Sequence, residues 1–194
     1  MVEGARPLSL ERPRRRSRRL WILVAATLVA VVAAAVAGAL AWLGSTDEGE
    51  PAAGGTPAET SVPDLRRLAD GLDHPLYWAG PPGTRTLEVT RTTGGNVFVR
   101  YLPAGTRVGD RRPLFTTVAT YPQQQAYARA LAAARRPGSA RATAPGGGLV
   151  VWNRRRPTSV YIAAPGTGVL VEVYDPSARR ARALVLSGEV GPVR

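Results

Sequence analysis

Residues 20–43, LWILVAATLVAVVAAAVAGALAWL, run for 24 positions without Asp, Glu, Lys or Arg. No other stretch restricts the chain so strongly. As an α-helix rising about 1.5 Å per residue, the run is about 36 Å long, enough to cross a hydrocarbon core of about 30 Å with some tilt. Eleven of its residues are Leu, Ile or Val. At roughly −0.3 to −0.6 kcal/mol each they supply about −3 to −6 kcal/mol towards insertion, and no charge opposes them. A buried helix of a soluble domain fits less well, because such helices rarely stay apolar on every face over this length. Trp21 and Trp42 stand at the two ends, where an indole keeps its ring near acyl chains and its N–H near water. The run reads as a single transmembrane helix in a lipid bilayer.

Charge sets its direction. Residues 1–19 carry seven Arg against Glu3 and Glu11, whereas residues 44–61 carry Asp47, Glu48, Glu50 and Glu59 and no base. The arginine-rich flank stays on the cytoplasmic side. The expected order is therefore a basic cytoplasmic tip (1–19), a membrane helix (20–43), an acidic disordered tether (44–61) and an extracytoplasmic domain (62–194). Two processing signals compete with an uncleaved anchor. Small residues recur in A-x-A spacing at Ala35/Ala37, Ala37/Ala39 and Ala39/Ala41, and SRRLWIL at 17–23 resembles a twin-arginine export signal. The apolar run exceeds the roughly 7–15 residues of a signal-peptide core, which favours the anchor. Ala26, Ala30, Ala34 and Gly38 have the small-xxx-small spacing that lets two membrane helices approach, a route to a helix-mediated dimer. With nine Ala among these 24 residues, composition alone also produces such a stripe.

Absences close most enzyme chemistries. The chain has no Cys and one His, and all 26 of its Lys/Arg positions are Arg. That removes disulfides, thiol nucleophiles, zinc–thiolate sites, P-loop lysines and Schiff bases. No cofactor is expected. With His74 as the only imidazole, a two-histidine zinc motif is impossible and a Ser–His–Asp triad has one candidate. Exclusive use of Arg also follows from GC-rich coding, but the charge balance does not. Residues 62–194 hold 19 Arg against eight acids, a net of +11. Such a field attracts polyanions. Outside the membrane these are anionic lipid head groups or wall polymers, not nucleic acid.

The segment 44–61, GSTDEGEPAAGGTPAETS, has no large apolar residue and cannot build a core. The 133 residues that follow make one domain of ordinary size. SVPDLRRLADGL at 61–72 predicts a short helix with Leu65, Leu68 and Leu72 on one face. A strand is expected at 76–79, and residues 86–102 alternate on both sides of Thr-Gly-Gly-Asn as a β-hairpin does. Another strand is expected at 115–121. Pro122 should then open a helix over 123–136, with Arg135 and Arg136 at its C-terminal end. After a loop at 139–148, three apolar runs (149–153, 160–164, 169–174) predict an antiparallel meander. Asp175-Pro176 reads as the cap and first turn of a last helix, 177–186. The fold class is α+β: one N-terminal transmembrane helix, then antiparallel sheet with two to three packed helices. PPGTRTLEV at 81–89 echoes APGTGVLVEV at 164–173, as a duplicated αβββ unit would; chance recurrence of Pro-Gly turns explains it equally well.

DHPLYWAG at 73–80 gathers His74, Tyr77 and Trp78, ring-bearing groups with polar tips that are frequent in binding surfaces. Their ordinary alternative is a core anchor beside a pre-proline turn. Glu88 and Glu172 lie mid-strand; as a pair across one cleft, about 5–9 Å apart, they would suit glycoside hydrolysis, and as isolated residues the wet face of a sheet. PGGG at 145–148 precedes a strand, whereas a dinucleotide loop follows one. Arg154, Arg155 and Arg156 form a basic turn between two strands, suited to an anionic surface.

HPLYWAG at 74–80, FVRYLP at 98–103 and VEVYDP at 171–176, behind a basic tip, an Ala/Val-rich anchor and an acidic tether, resemble uncharacterised single-pass membrane or secreted proteins of high-GC actinobacteria. The resemblance implies a cell-membrane location and no particular activity or catalytic residue. The sequence leads to a non-catalytic, membrane-tethered extracytoplasmic domain that binds a partner or an anionic envelope component. The alternative is a cell-envelope hydrolase acting on wall sugars or phosphates.

Overall fold

The computed structural model describes residues 55–194. The expected membrane helix with Trp21, Trp42 and the Ala26/Ala30/Ala34/Gly38 stripe, the basic tip and residues 44–54 of the tether lie outside the described residues. Among the described residues no helix is long and apolar enough to cross a membrane.

The elements run β1 (Ala58–Thr60), α1 (Val62–Asp70), β2 (Tyr77–Trp78), β3 (Thr86–Arg91), β4 (Val97–Leu102), β5 (Thr116–Pro122), α2 (Ala126–Ala134), β6 (Ser139–Thr143), β7 (Leu149–Asn153), β8 (Arg156–Ala163), β9 (Val169–Tyr174), α3 (Ala178–Leu186) and β10 (Gly191–Pro192). Eight strands form one sheet in the order β1-β3-β4-β5-β9-β8-β7-β6, and β2 pairs with β10 apart from it. Every one of these pairings is antiparallel. The α+β reading holds at that level.

Alternation along the strands gives the sheet two apolar faces. On the first, Leu65 of α1 and Ala181, Leu184 and Val185 of α3 pack over Val99, Val118, Val160 and Val173. On the second, Ala126, Ala130 and Ala133 of α2 cover Ala119, Val151, Tyr161 and Leu170. Small alanines let α2 lie close to the strands. One cross-sheet register row on the first face runs from Ala58 at one edge through Val89, Val99, Val118, Val173 and Val160 to Trp152 and Ala140 at the other. α1 begins where Ser61 Oγ accepts the Asp64 N–H at 3.2 Å, with a proline in its first turn. Burial of Leu65, fully enclosed, is worth about 1.5–3 kcal/mol to the docking of this helix.

Several expectations need correction. The tether does not run unstructured to residue 61, because Ala58–Thr60 pair with Leu87–Val89 as an edge strand. Gly55 lies against β3, where a Cβ would stand 1.8 Å from the Arg91 carbonyl oxygen. Pro122 ends β5 instead of opening α2: the Gln123 N–H donates to Gly168 O at 2.7 Å, extending the ladder past the proline. The expected loop at 139–148 contains β6, whose alternation of Ala140 and Ala142 with Arg141 is too weakly apolar to stand out. Its PGGG is the turn into β7, closed by Ala144 N–H to Gly148 O at 2.9 Å. Asp175 is not the cap of α3. It turns inward to accept from Thr116 Oγ1 at 2.7 Å, and Ser177 Oγ accepts the Arg180 N–H. The echoed segments become β3, second from an edge, and β9, at the centre. They are therefore not equivalent strands of the two meanders β3-β4-β5 and β7-β8-β9, and α1 and α2 lie on opposite faces.

Candidate functional site

The HPLYWAG segment is a strut. Trp78 is 8% exposed in the core under α1 and α3, and its strand is tied to β10. The half-buried Tyr77 donates its backbone N–H to Thr120 Oγ1 at 3.1 Å, and burial raises the pKa of its phenol. Tyr101 Oη locks the following turn by accepting from Ala79 N–H at 2.7 Å and donating to Gly80 O at 2.9 Å. His74 is half-buried, with Nδ1 3.3 Å from the Pro75 carbonyl. Of the three, Trp78 is buried in the core, whereas His74 and Tyr77 are half-buried.

Glu88 and Glu172 share the second face but not a cleft. Three strand spacings and two residues of register separate them, about 16 Å between Cα atoms at about 4.8 Å per strand and 3.3 Å per residue. Each carboxylate is also engaged. Glu88, 1% exposed, accepts from Arg100 Nη1 and from the Gly109 N–H, both at 2.6 Å. The Arg100 guanidinium donates on to Asp110 O at 2.6 Å and lies over the Phe115 ring. This pins the loop 103–115 to β3 and β4. Glu172 accepts from Tyr121 Oη at 2.8 Å and Tyr161 Oη at 3.2 Å. Burial raises its pKa despite these bonds, and burial and the neighbouring carboxylate push both phenols upward. Two carboxylates so placed cannot flank one glycosidic bond. Among the described residues no group of three acids or His is placed to hold a metal ion.

What the fold does bring together is arginine. Arg135 caps the C-terminal end of α2, Arg141 projects from the edge strand β6, and Arg154 stands in the β7–β8 turn. All three are exposed, and they line one open concavity of about 670 Å³ with Ser139, Ala140 and Trp152. The backbone fixes it. Arg154 N–H donates to Gly138 O at 2.9 Å, joining the β7–β8 turn to the α2–β6 connection. Asn153 Oδ1 accepts the Arg155 N–H at 2.8 Å, an Asx turn that holds the loop shape. Ser139 Oγ donates to Ala133 O at 2.7 Å, fastening β6 to the helix end. No acid lines the concavity, and the salt bridges among the described residues use Arg67, Arg100, Arg112 and Arg180 instead. Three guanidinium forks stand ready for phosphate or carboxylate oxygens.

Of the basic turn singled out in the sequence, Arg154 enters this concavity, whereas Arg155 and Arg156 are exposed beside it. Arg135, Arg141 and Trp152 were missed as partners. Their signal was available only through pairing, since Ala140 opposes Trp152 and Arg141 opposes Val151. A second concavity, against α3, includes Arg179 and Arg180 but also Glu189, and Arg180 is paired with Asp175. Its charge is mixed. Comparison with protein families, with curated proteins and with solved structures finds no match to this chain.

Proposed function

We propose that this protein is a membrane-anchored extracytoplasmic binding domain without catalysis, which engages an anionic component of the cell envelope through the arginine-lined concavity at the β6–β7–β8 edge. The observation that carries the reading is the convergence of Arg135, Arg141 and Arg154 around one space that no acid lines. The apolar run 20–43 and the arginine excess before it support an N-terminus inside and the domain outside. The net charge of +11 over residues 62–194 supports long-range attraction, and the concavity gives that attraction a place to end. The hydrolase alternative has lost its carboxylate pair.

The test uses the full chain in nanodiscs of zwitterionic lipid, titrated with poly(glycerol phosphate). Binding should be measurable at 0.01 M salt and fall steeply towards 0.15 M, as the Debye length contracts from about 30 Å to about 8 Å. No binding at low salt, or binding indifferent to salt, overturns the proposal.

A further inference from the structure

We infer that the anionic partner is a sugar-bearing polymer, read by the Trp152 indole inside the arginine concavity, and not the surface of the bilayer. The inference rests on the binding function proposed above and names its ligand class.

The first support is where the concavity lies. The chain enters the domain at β1, one edge of the sheet, and the concavity is built on β6, the other edge. Ala58 and Ala140 are the two ends of one register row. Seven strand spacings at about 4.8 Å place them about 34 Å apart. The concavity thus lies at the sheet edge opposite to the one at which the described chain begins. A planar head-group layer also suits a flat or convex basic surface. A concave one presents its cations to a chain that lies within it.

The second support is the indole. Trp152 is only partly buried, although it continues the valine row of the first face. Its sole cross-strand neighbour on the outer side is Ala140, on the last strand, so no bulky side chain of the sheet covers that flank. The indole also packs against the core of the first face, and the Arg182 guanidinium lies over the ring, 5.9 Å from its centroid, which adds a further cation and leaves the flank towards Ala140 as the open part. A partly open indole flank that shares one concavity with guanidinium forks suits a repeating unit of two chemistries. The C–H face of a sugar ring packs on the indole, and its phosphate or carboxylate accepts from Arg141, Arg154 and Arg135. A polymer of charge alone leaves the indole unused.

The full chain in zwitterionic nanodiscs is titrated with glucosylated poly(glycerol phosphate) and, separately, with inorganic polyphosphate of matched phosphate number. Trp152→Leu should weaken the glucosylated polymer about tenfold and leave polyphosphate unchanged. Since Trp152 also packs against the core, Ala140→Gln is the second variant: it keeps the indole and covers its open flank, and should give the same selective loss. Arg141→Gln/Arg154→Gln should weaken both polymers, and by more than Arg155→Gln/Arg156→Gln, which removes equal charge from outside the concavity. Equal losses on both polymers in the Trp152 and Ala140 variants overturn the inference. So does polymer binding that disappears when the discs carry anionic lipid, because the surface would then be lying on the bilayer. Failure of the wild type to bind either polymer at low salt rejects the parent function instead.

Discussion

Glu88→Gln isolates the ion pair that fixes the loop 103–115. Glu88 is 1% exposed and Arg100 17% exposed, with N–O contacts of 2.6 Å from Arg100 Nη1 and from the Gly109 N–H. The amide keeps the shape and removes the charge, leaving a mostly enclosed guanidinium with the carbonyls of Asp110 and Arg112, the Phe115 ring and, at longer range, the Asp110 carboxylate. Removing one member of a buried pair costs about 3–5 kcal/mol. Because the Gln oxygen can still accept one bond and Arg100 retains some solvent, the lower end, about 3 kcal/mol, is expected. At roughly 4 °C per kcal/mol for a domain of this size, the midpoint of thermal unfolding should fall by about 12 °C. Amide exchange at Gly109 should accelerate with it, as its acceptor weakens. Glu88→Met/Arg100→Met should recover much of the loss, since no uncompensated charge remains. A Gln variant within about 1 kcal/mol of wild type, or a double variant as unstable as the sum of its singles, would refute the assignment of this pair as the pin.

Glu172 has a raised folded-state pKa, so its protonated form favours the native state and its contribution fades as pH rises from the ordinary carboxylate value of 4.5 through the folded value. Relative to wild type, Glu172→Gln should therefore gain stability as pH is raised through that interval, and parallel pH profiles in chemical denaturation would contradict this. For topology, a reporter active only outside the cell should work when fused after Arg194 and fail when fused before Arg6. The reverse pattern ends the localisation argument, and a mature N-terminus near Ala41 by mass spectrometry would make the anchor a cleaved signal.

The hairpin of β3 and β4 was legible because alternation flanks a glycine turn, with Gly95 at φ 81° supplying its left-handed residue. The strands β7 and β9 were legible from apolar runs of Val and Leu, and α1 from its leucine spacing. The missed strands are of another kind. β1, β6 and β10 are short and lie at edges or outside the main sheet, built from small or polar residues with no large apolar side chain. Pro122 misled because a proline that opens a helix and one that ends a strand satisfy the same φ restriction. The arginine concavity was half-legible. Its charge stood in the composition and Arg154 in a recognisable turn, but the meeting of Arg135, Arg141 and Trp152 is a product of strand order and register, which no local pattern carries. The same holds for Glu88 and Glu172, alike in sequence setting yet set apart by strand order.

The measurement closest to the central claim compares two triple variants of equal charge loss. Arg135→Gln/Arg141→Gln/Arg154→Gln empties the concavity, and Arg91→Gln/Arg107→Gln/Arg111→Gln removes three exposed arginines from the end of β3 and the loop 103–115, away from β6. At about 1 kcal/mol per Arg near an anionic surface, the first should weaken poly(glycerol phosphate) binding at low salt by about 100-fold. The second, acting only through the remote field, should cost less than about tenfold. Equal losses from the two would mean that charge number and not the β6–β7–β8 concavity governs binding, and would contradict the site assigned to this protein.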